Sequence, residues 1–303
     1  MASKKKLLQA AAGSAGGAGL DVDEVFSTFL YDGNGSAQNI NNGINLGDNI
    51  AGSVDLRGTT VSPPDSLTST SYTWNFGTGD FTIEFWVYIA AGISSINFID
   101  FRPSSGDTGS FMLGTSYDSG HKVRFYTSAG GSPVGKIVDT ASLSTGAWHH
   151  LAWVRSSGTT KIYKNGVALS STYSDTNNYS SSMIEIGQRS FNDGLALEGK
   201  MSNLRIVIGT AVYTSNFTVP TEPLTAISGT ELLIFTADTF QDKSGNNREF
   251  TKVNTPTPSS SSPFTGNTGE GGLVWIKNRD SANGHNLEDT ERGAGKRDRK
   301  SVV

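Results

Sequence analysis

Along residues 81–88 apolar and polar positions alternate. Phe81, Ile83, Phe85 and Val87 interleave with Thr82, Glu84, Trp86 and Tyr88. Successive side chains of a strand point to opposite faces, so the stretch predicts a strand with one aliphatic and aromatic face for a core. Trp86 and Tyr88 fall on the other face, toward a second layer or a concave binding surface, with packing the expected use. Alternating or β-rich runs recur at 96–102, 109–115, 121–127, 134–139, 147–155, 160–165, 182–188, 199–208, 231–236 and 248–253. Turn chemistry separates them, as in "SYDSG" (116–120), "SSGTT" (156–160), "KNG" (164–166) and "NDG" (192–194). Many short strands between such turns predict an all-β fold, a two-sheet antiparallel jelly-roll sandwich. Residues 254–269, rich in Pro and Ser, read as a linker; "GGLVWIKNRD" beyond it reads as one more strand, and "GKRDRKSVV" as a frayed basic tail.

Composition narrows the function. The chain has 303 residues, 36 Gly, 17% charged residues and no cysteine, which excludes disulfides and thiolate metal sites. A net charge of −4 carries no nucleic-acid signature, and no apolar run approaches the length of a membrane span. Residues 1–20 set Lys4 to Lys6 before an Ala-rich stretch, but Gln9 and the glycines break its apolar core. The expectation is a flexible arm, or an anchor that orders on docking, rather than a cleaved leader.

Two adjacent histidines in "TGAWHHLAWVR" (145–155) are the first candidates for chemistry. On a strand they face opposite ways, so His149 and His150 cannot share one metal or one substrate atom. His150 shares a face with Trp148, Ala152 and Val154; His149 goes with Leu151, Trp153 and Arg155. With Asn165-Gly166 closing the returning strand, Trp148, His150, Trp153, Asn165 and Gly166 read as scaffold, and His150 is expected to be buried in the sandwich. "GGSPVGKI" (130–137) has the glycine spacing of a phosphate loop, but Ile137 stands where Ser or Thr is needed. The Glu-x-Asp-x-x-Glu pattern of sandwich glucanases is absent, so no catalytic residue is assigned and no hydrolase activity is expected. Asn34, Asn178 and Asn216 open glycosylation sequons of the kind Ser/Thr-rich chains produce by chance.

"FGTGDFTIEFWVY" (76–88), "GAWHHLAWVR" (146–155), "KIYKNGVAL" (161–169) and "LRIVIGTAVYTSNFTVPTEPL" (204–224) occur in that order. Together they resemble the laminin-G-like, concanavalin-A-type jelly-roll modules of bacteriophage structural proteins, over roughly residues 52–264. The resemblance implies two packed antiparallel sheets that bind glycans or protein partners; catalytic members carry carboxylates that these motifs lack. The flanks, "DVDEVFSTFLYDGNGSAQNINNGINLG" (21–47) and "GEGGLVWIKNRDSANGHNLEDTERGAGK" (269–296), resemble two halves of one module of marine-phage tail-fibre and other virion proteins. In that module the halves run together, and the chain continues past "DTERGAGK". Here the jelly roll is expected to be an insertion between them, and the flanks a minimal β docking element built from both termini, with 297–303 as the tail.

The resemblances imply a non-enzymatic virion protein: a capsid-surface decoration or fibre, or a tail fibre or tail-associated adhesin. Its expected partners are other virion proteins through the termini, a host-surface glycan, and further copies of itself, since virion positions often impose cyclic symmetry. The alternative is a lectin-like adhesin whose main task is receptor recognition. The expected glycan patch is "STYSDTNNYSSS" (171–182), with Tyr173 and Tyr179 for stacking and Asp175, Asn177 and Asn178 for hydrogen bonds. Tyr117 and Asp118, and Asn192 and Asp193, are expected to contribute from other loops. No cofactor is expected; a Ca²⁺ site on Asp175 or Asp193 would fall short of the six to eight oxygens that ion takes.

Overall fold

The computed structural model describes residues 52–264, apart from 58–60, 62, 91–95, 104–108, 116–119, 130–131, 190–191 and 237–239. It also describes 273–276, 285–289 and 298–300. All regular structure among these residues is strand.

One large sheet runs in the order β11 (Val167–Ala168), β10 (Thr159–Lys164), β9 (Trp148–Ser156), β4 (Phe81–Ile89), β17 (Gly199–Ile208), β1 (Ser53–Leu56), β20 (Thr257–Ser259). Off this path, β12 (Tyr173–Ser174) pairs with β10 and β18 (Thr230–Ile234) with β17. The other large sheet runs β19 (Thr251–Val253), β2 (Ser66–Ser69), β14 (Ile184–Ile186), β5 (Asn97–Asp100), β6 (Phe111–Thr115), β7 (Lys122–Ala129), β8 (Ser132–Ser142). Two short pairs join β3 (Trp74–Gly77) to β13 (Tyr179–Ser181) and β15 (Gln188–Arg189) to β16 (Asn192–Ala196). Every pairing is antiparallel, as the alternation predicted.

The core lies between the two large sheets. The predicted apolar face of β4, Phe81, Ile83, Phe85 and Val87, is wholly buried there. Trp153 stacks on Phe85 (centroids 5.4 Å apart), and Phe98 meets both rings edge-on. Burying each such ring contributes roughly 1.5–3 kcal/mol, which orders the sandwich without disulfides.

Three expectations change. The segment read as a linker contains β20, which pairs with β1 through Val54 opposite Pro258. Proline is tolerated there because β20 is the outermost strand of its sheet. The ends of the sandwich are therefore neighbours, and the Ser53 hydroxyl donates to the Ser261 carbonyl at 2.7 Å. The tail read as frayed carries β23 (Asp298–Lys300), the third strand of a sheet with β22 (His285–Asp289) and β21 (Leu273–Ile276). Thus "LVWI" pairs with "HNLED". Residues 21–47, the other half of the expected docking element, lie outside the described residues.

The third change sets up the site. Within β17 the register shifts between Ser202 and Arg205, and Asn203 adopts the left-handed conformation (φ 53°). This bulge adds one residue to β17 and reverses its alternation. Met201 faces the core opposite Val87, yet Arg205 emerges on the outer face opposite Glu84.

Candidate functional site

The outer face of the larger sheet, away from the core, carries Glu84, Trp86, His150, Ala152, Val154, Tyr163 and Arg205, brought together by register. A carboxylate and a guanidinium are tolerated there because each is paired. Glu84, with no exposed surface, accepts from Arg205 Nη2 at 2.6 Å and Nε at 3.0 Å on one oxygen. Its other oxygen accepts from the Tyr213 hydroxyl at 2.8 Å and lies 3.2 Å from His150 Nε2. Burial alone would raise the Glu84 pKa, but the His150 hydrogen bond and the Arg205 charge outweigh it and hold the carboxyl below its usual range. Burial and the neighbouring Glu84 charge push the Tyr213 phenol up.

Residues 210–219 cover this cluster. The Thr82 hydroxyl donates to Thr210 O and accepts from Val212 N; Ala168 N donates to the Asn216 side chain, and Phe217 N donates to Gly166 O at 2.9 Å. Tyr213 and Phe217 stack above Ala152, Val154 and Tyr163. A second patch on the same face joins Trp86, Phe264, Trp148 and Val219. His150 is buried, as expected, but beneath this cover rather than between the sheets. His149 lies on the opposite face, its Nε2 3.0 Å from the Ser144 hydroxyl, and burial keeps its pKa below the usual range. The Asn165 side-chain carbonyl accepts from His150 N at 2.9 Å, so the predicted Asn165-Gly166 turn also fixes the histidine backbone. Trp153 donates its ring N–H to Arg124 O.

Beside the cover the sheet opens into a cavity of about 250 Å³. Its floor is Val154, Ser156, Thr159, Lys161 and Tyr163 on β9 and β10, with Ser157 from their turn; its wall is Tyr213 and Thr214. Both turn residues have positive φ, Ser157 48° and Gly158 74°, which folds β10 straight back onto β9. The lining holds hydroxyls, two phenol rings and one ammonium, and no carboxylate. Sequence inspection passed over these residues, although parity on β10 puts Thr159, Lys161 and Tyr163 on one face, away from buried Thr160 and Ile162.

The expected glycan patch is a structural knot. Asp175 is fully buried, accepting from Thr160 Oγ1 (2.7 Å) on one oxygen and from Tyr179 OH and Asn177 Nδ2 (both 2.8 Å) on the other. Arg155 Nη1 stands 3.9 Å from it and donates to the Asn177 carbonyl, while Nε and Nη2 donate to the carbonyls of Gly79 and Gly77. Tyr179 is buried against Phe111 and Phe125, so neither of the two residues offers a surface to a sugar. Tyr173 is half-buried, packed on the core with Lys136 over its ring, while Asn177 and Asn178 remain exposed. Both Asp175 oxygens thus accept hydrogen bonds, and among the described residues no three His, Asp or Glu side chains are grouped to hold a metal. Tyr117 and Asp118, and the side chains of Asn192 and Asp193, lie outside the described residues.

One carboxylate pair that motif inspection missed lies on the other sheet, where Glu185 on β14 is registered opposite Asp100 on β5. Both are buried. Asp100 is held by Arg102 Nε (2.8 Å) and Nη2 (2.6 Å); Glu185 accepts from Ser66 Oγ (2.6 Å) and Gln188 Nε2 (2.9 Å). Burial pushes the Glu185 carboxyl up, against the hydrogen bonds that oppose it.

Two antiparallel sheets packed face to face around a filled interior define a jelly-roll sandwich. The chain belongs to the concanavalin A-like lectin/glucanases superfamily, whose family profile matches residues 58–210. Among curated proteins none matches the sequence. Solved structures are similar to it as follows. A heptameric SAP-like pentraxin from Limulus polyphemus is 15% identical with a TM-score of 0.52, over 72% of this chain and 99% of that one. A putative carbohydrate binding protein from Bacteroides ovatus is 15% identical with a TM-score of 0.44, over 68% and 61%. The enzymatically active domain of tailspike protein 2 of bacteriophage CBA120 is 14% identical with a TM-score of 0.40, over 52% and 25%.

Proposed function

We propose that this chain is a non-enzymatic phage virion protein whose sandwich recognises a host-surface glycan and does not cleave it. The observation that carries the recognition reading is the cavity over β9 and β10, lined by hydroxyls, tyrosines and a lysine. A glycosidase needs an acid and a base or nucleophile flanking the bond it breaks. Glu84 has both oxygens saturated beneath residues 210–219, and the Asp100–Glu185 pair is buried and hydrogen-bonded. The virion placement draws on the flanking motifs at 21–47 and 269–296, and the side-by-side ends of the sandwich suit a domain inserted into a host module. On a particle the chain would repeat by symmetry, as a homo-oligomer.

A glycan array probed with the full chain tests recognition, and immunogold labelling of intact particles tests placement. The expected result is selective glycan binding, particle-surface labelling, and no new reducing ends from host capsule or cell-wall polysaccharide. Reducing ends that disappear on Glu185→Gln or Asp100→Asn would overturn the non-enzymatic reading; particles without label would overturn the placement.

A further inference from the structure

Lys161 and Tyr163 stand two residues apart on the outer face of β10, and both line the 250 Å³ cavity. Lys161 makes no ion pair or hydrogen bond among the described residues, although the chain's other ammonium groups on this sheet are paired: Lys164 with Asp139 and Lys200 with Asp55. The Tyr163 side chain is fully buried, and its hydroxyl has no hydrogen-bond partner. A buried hydroxyl without a partner is costly, and because Tyr163 belongs to the cavity lining, a ligand seated there that reached this hydroxyl would satisfy it. No carboxylate is in the lining, and that of Asp80, beside the turn, is occupied in accepting from Ser157 N at 2.8 Å. The opposite wall is rigid, because Tyr213 is fixed at its hydroxyl by Glu84 and at its ring by Phe217.

We infer that this cavity binds the carboxylate-bearing unit of an acidic saccharide, with Lys161 facing the carboxylate and Tyr163 hydrogen-bonding the sugar. The inference rests on the glycan-recognition reading above and names its ligand class. A single ammonium, with no guanidinium in the lining, suits one negative charge better than a phosphate dianion. Ser156, Ser157, Thr159 and Thr214 supply hydroxyls for a hydroxylated ring, while Val154 and the Tyr213 ring give it apolar surface. The volume suits one pyranose unit, so the terminal or a single internal residue is bound and its neighbours lie in solvent.

Calorimetric titration of the full chain decides the matter, using tetrasaccharides that end in glucuronate or galacturonate, their carboxyl-reduced counterparts and sulfated counterparts. The uronates are expected to bind, and carboxyl reduction to weaken binding about tenfold or more, the scale of a hydrogen bond to a charged group. Lys161→Gln should erase that difference between the acidic and reduced sugars. Tyr163→Phe should weaken uronate binding several-fold while leaving the free protein at least as stable, since the lost hydroxyl had no partner. Equal binding of reduced sugars, equal binding of sulfated ones, or a Tyr163→Phe protein that binds uronate unchanged would each overturn the inference. Neutral glycan binding that survives Lys161→Gln, without uronate selectivity, removes this inference and leaves the recognition reading intact. Absence of binding to every saccharide, here and on the array, removes both.

Discussion

The amide of Phe217 donates to the carbonyl of Gly166, and a β-carbon added at Gly166 would fall 2.1 Å from the Phe217 carbonyl oxygen. The turn that closes β10 and β11 is thus also the seat of the segment covering Glu84. Gly166 sits at φ 79°, which costs any residue with a side chain about 1–2 kcal/mol before the clash is counted. Gly166→Ala should lower stability by at least about 2 kcal/mol and loosen the cover first. Hydrogen exchange should show the Phe217 amide losing protection while the amides of β6 and β7 keep theirs; equal loss everywhere would place the damage in the core instead.

Glu84 and Arg205 form a buried ion pair whose partners cannot be removed singly at low cost. Glu84→Gln leaves the guanidinium without its counter-charge and should destabilise by about 3–5 kcal/mol in urea unfolding at pH 7. The Glu84 pKa is lowered on folding, so its contribution is present above the unfolded value of 4.5 and is lost as pH falls through the folded value. The variant should therefore show a shallower acid limb than the parent protein.

Glu185 has the opposite sign. Its folded pKa is raised by burial, so the stability it contributes is whole below 4.5 and is lost as pH rises through the folded value. Glu185→Gln keeps an oxygen to accept from Ser66 and Gln188 but cannot ionise. Thermal unfolding should find the variant as stable as the parent at pH 4 and more stable at pH 7, by on the order of 1 kcal/mol. A variant less stable at pH 7 would mean that the ionised carboxylate is wanted there.

Tyr179→Phe removes a donor to buried Asp175 and should cost about 2 kcal/mol, the range of a hydrogen bond to a charged group. Glycan binding should be unchanged in calorimetry, because the side chains of Tyr179, Asp175 and Arg155 are buried. Loss of binding at unchanged stability would return this loop to the ligand surface.

The sandwich was legible because its signal is local. Period-two alternation placed β4, β9 and β17 nearly to the residue, and the parity argument put His149 and His150 on opposite faces. The site was not legible, for four physical reasons. The bulge at Asn203 reverses parity within one continuous strand, so counting by twos from Met201 sends Arg205 into the core rather than to Glu84. The Asp100–Glu185 pair arises from strand neighbours 85 positions apart, which no motif spacing encodes. The composition of 171–182 suggests sugar contacts, but the same Asp, Asn and Tyr groups satisfy one another once Thr160 and Arg155 arrive from neighbouring strands. Lys161 was overlooked because a lone lysine on a strand carries no signal until its missing partner is seen.

The pairing of β1 with β20 has a mechanical side. The chain enters at Gly52 and leaves after Ser259 at the same end of one short antiparallel ladder, with Ser53 opposite Ser259. Tension applied through the two flanks would load that ladder's hydrogen bonds one after another, as a zipper opens, rather than all at once in shear. The strand pair would give way at low force while β4, β9 and β17 stayed packed. A protein held by its flanks and pulled during attachment would then lengthen by one peeled edge strand, and zip closed again when the load was released.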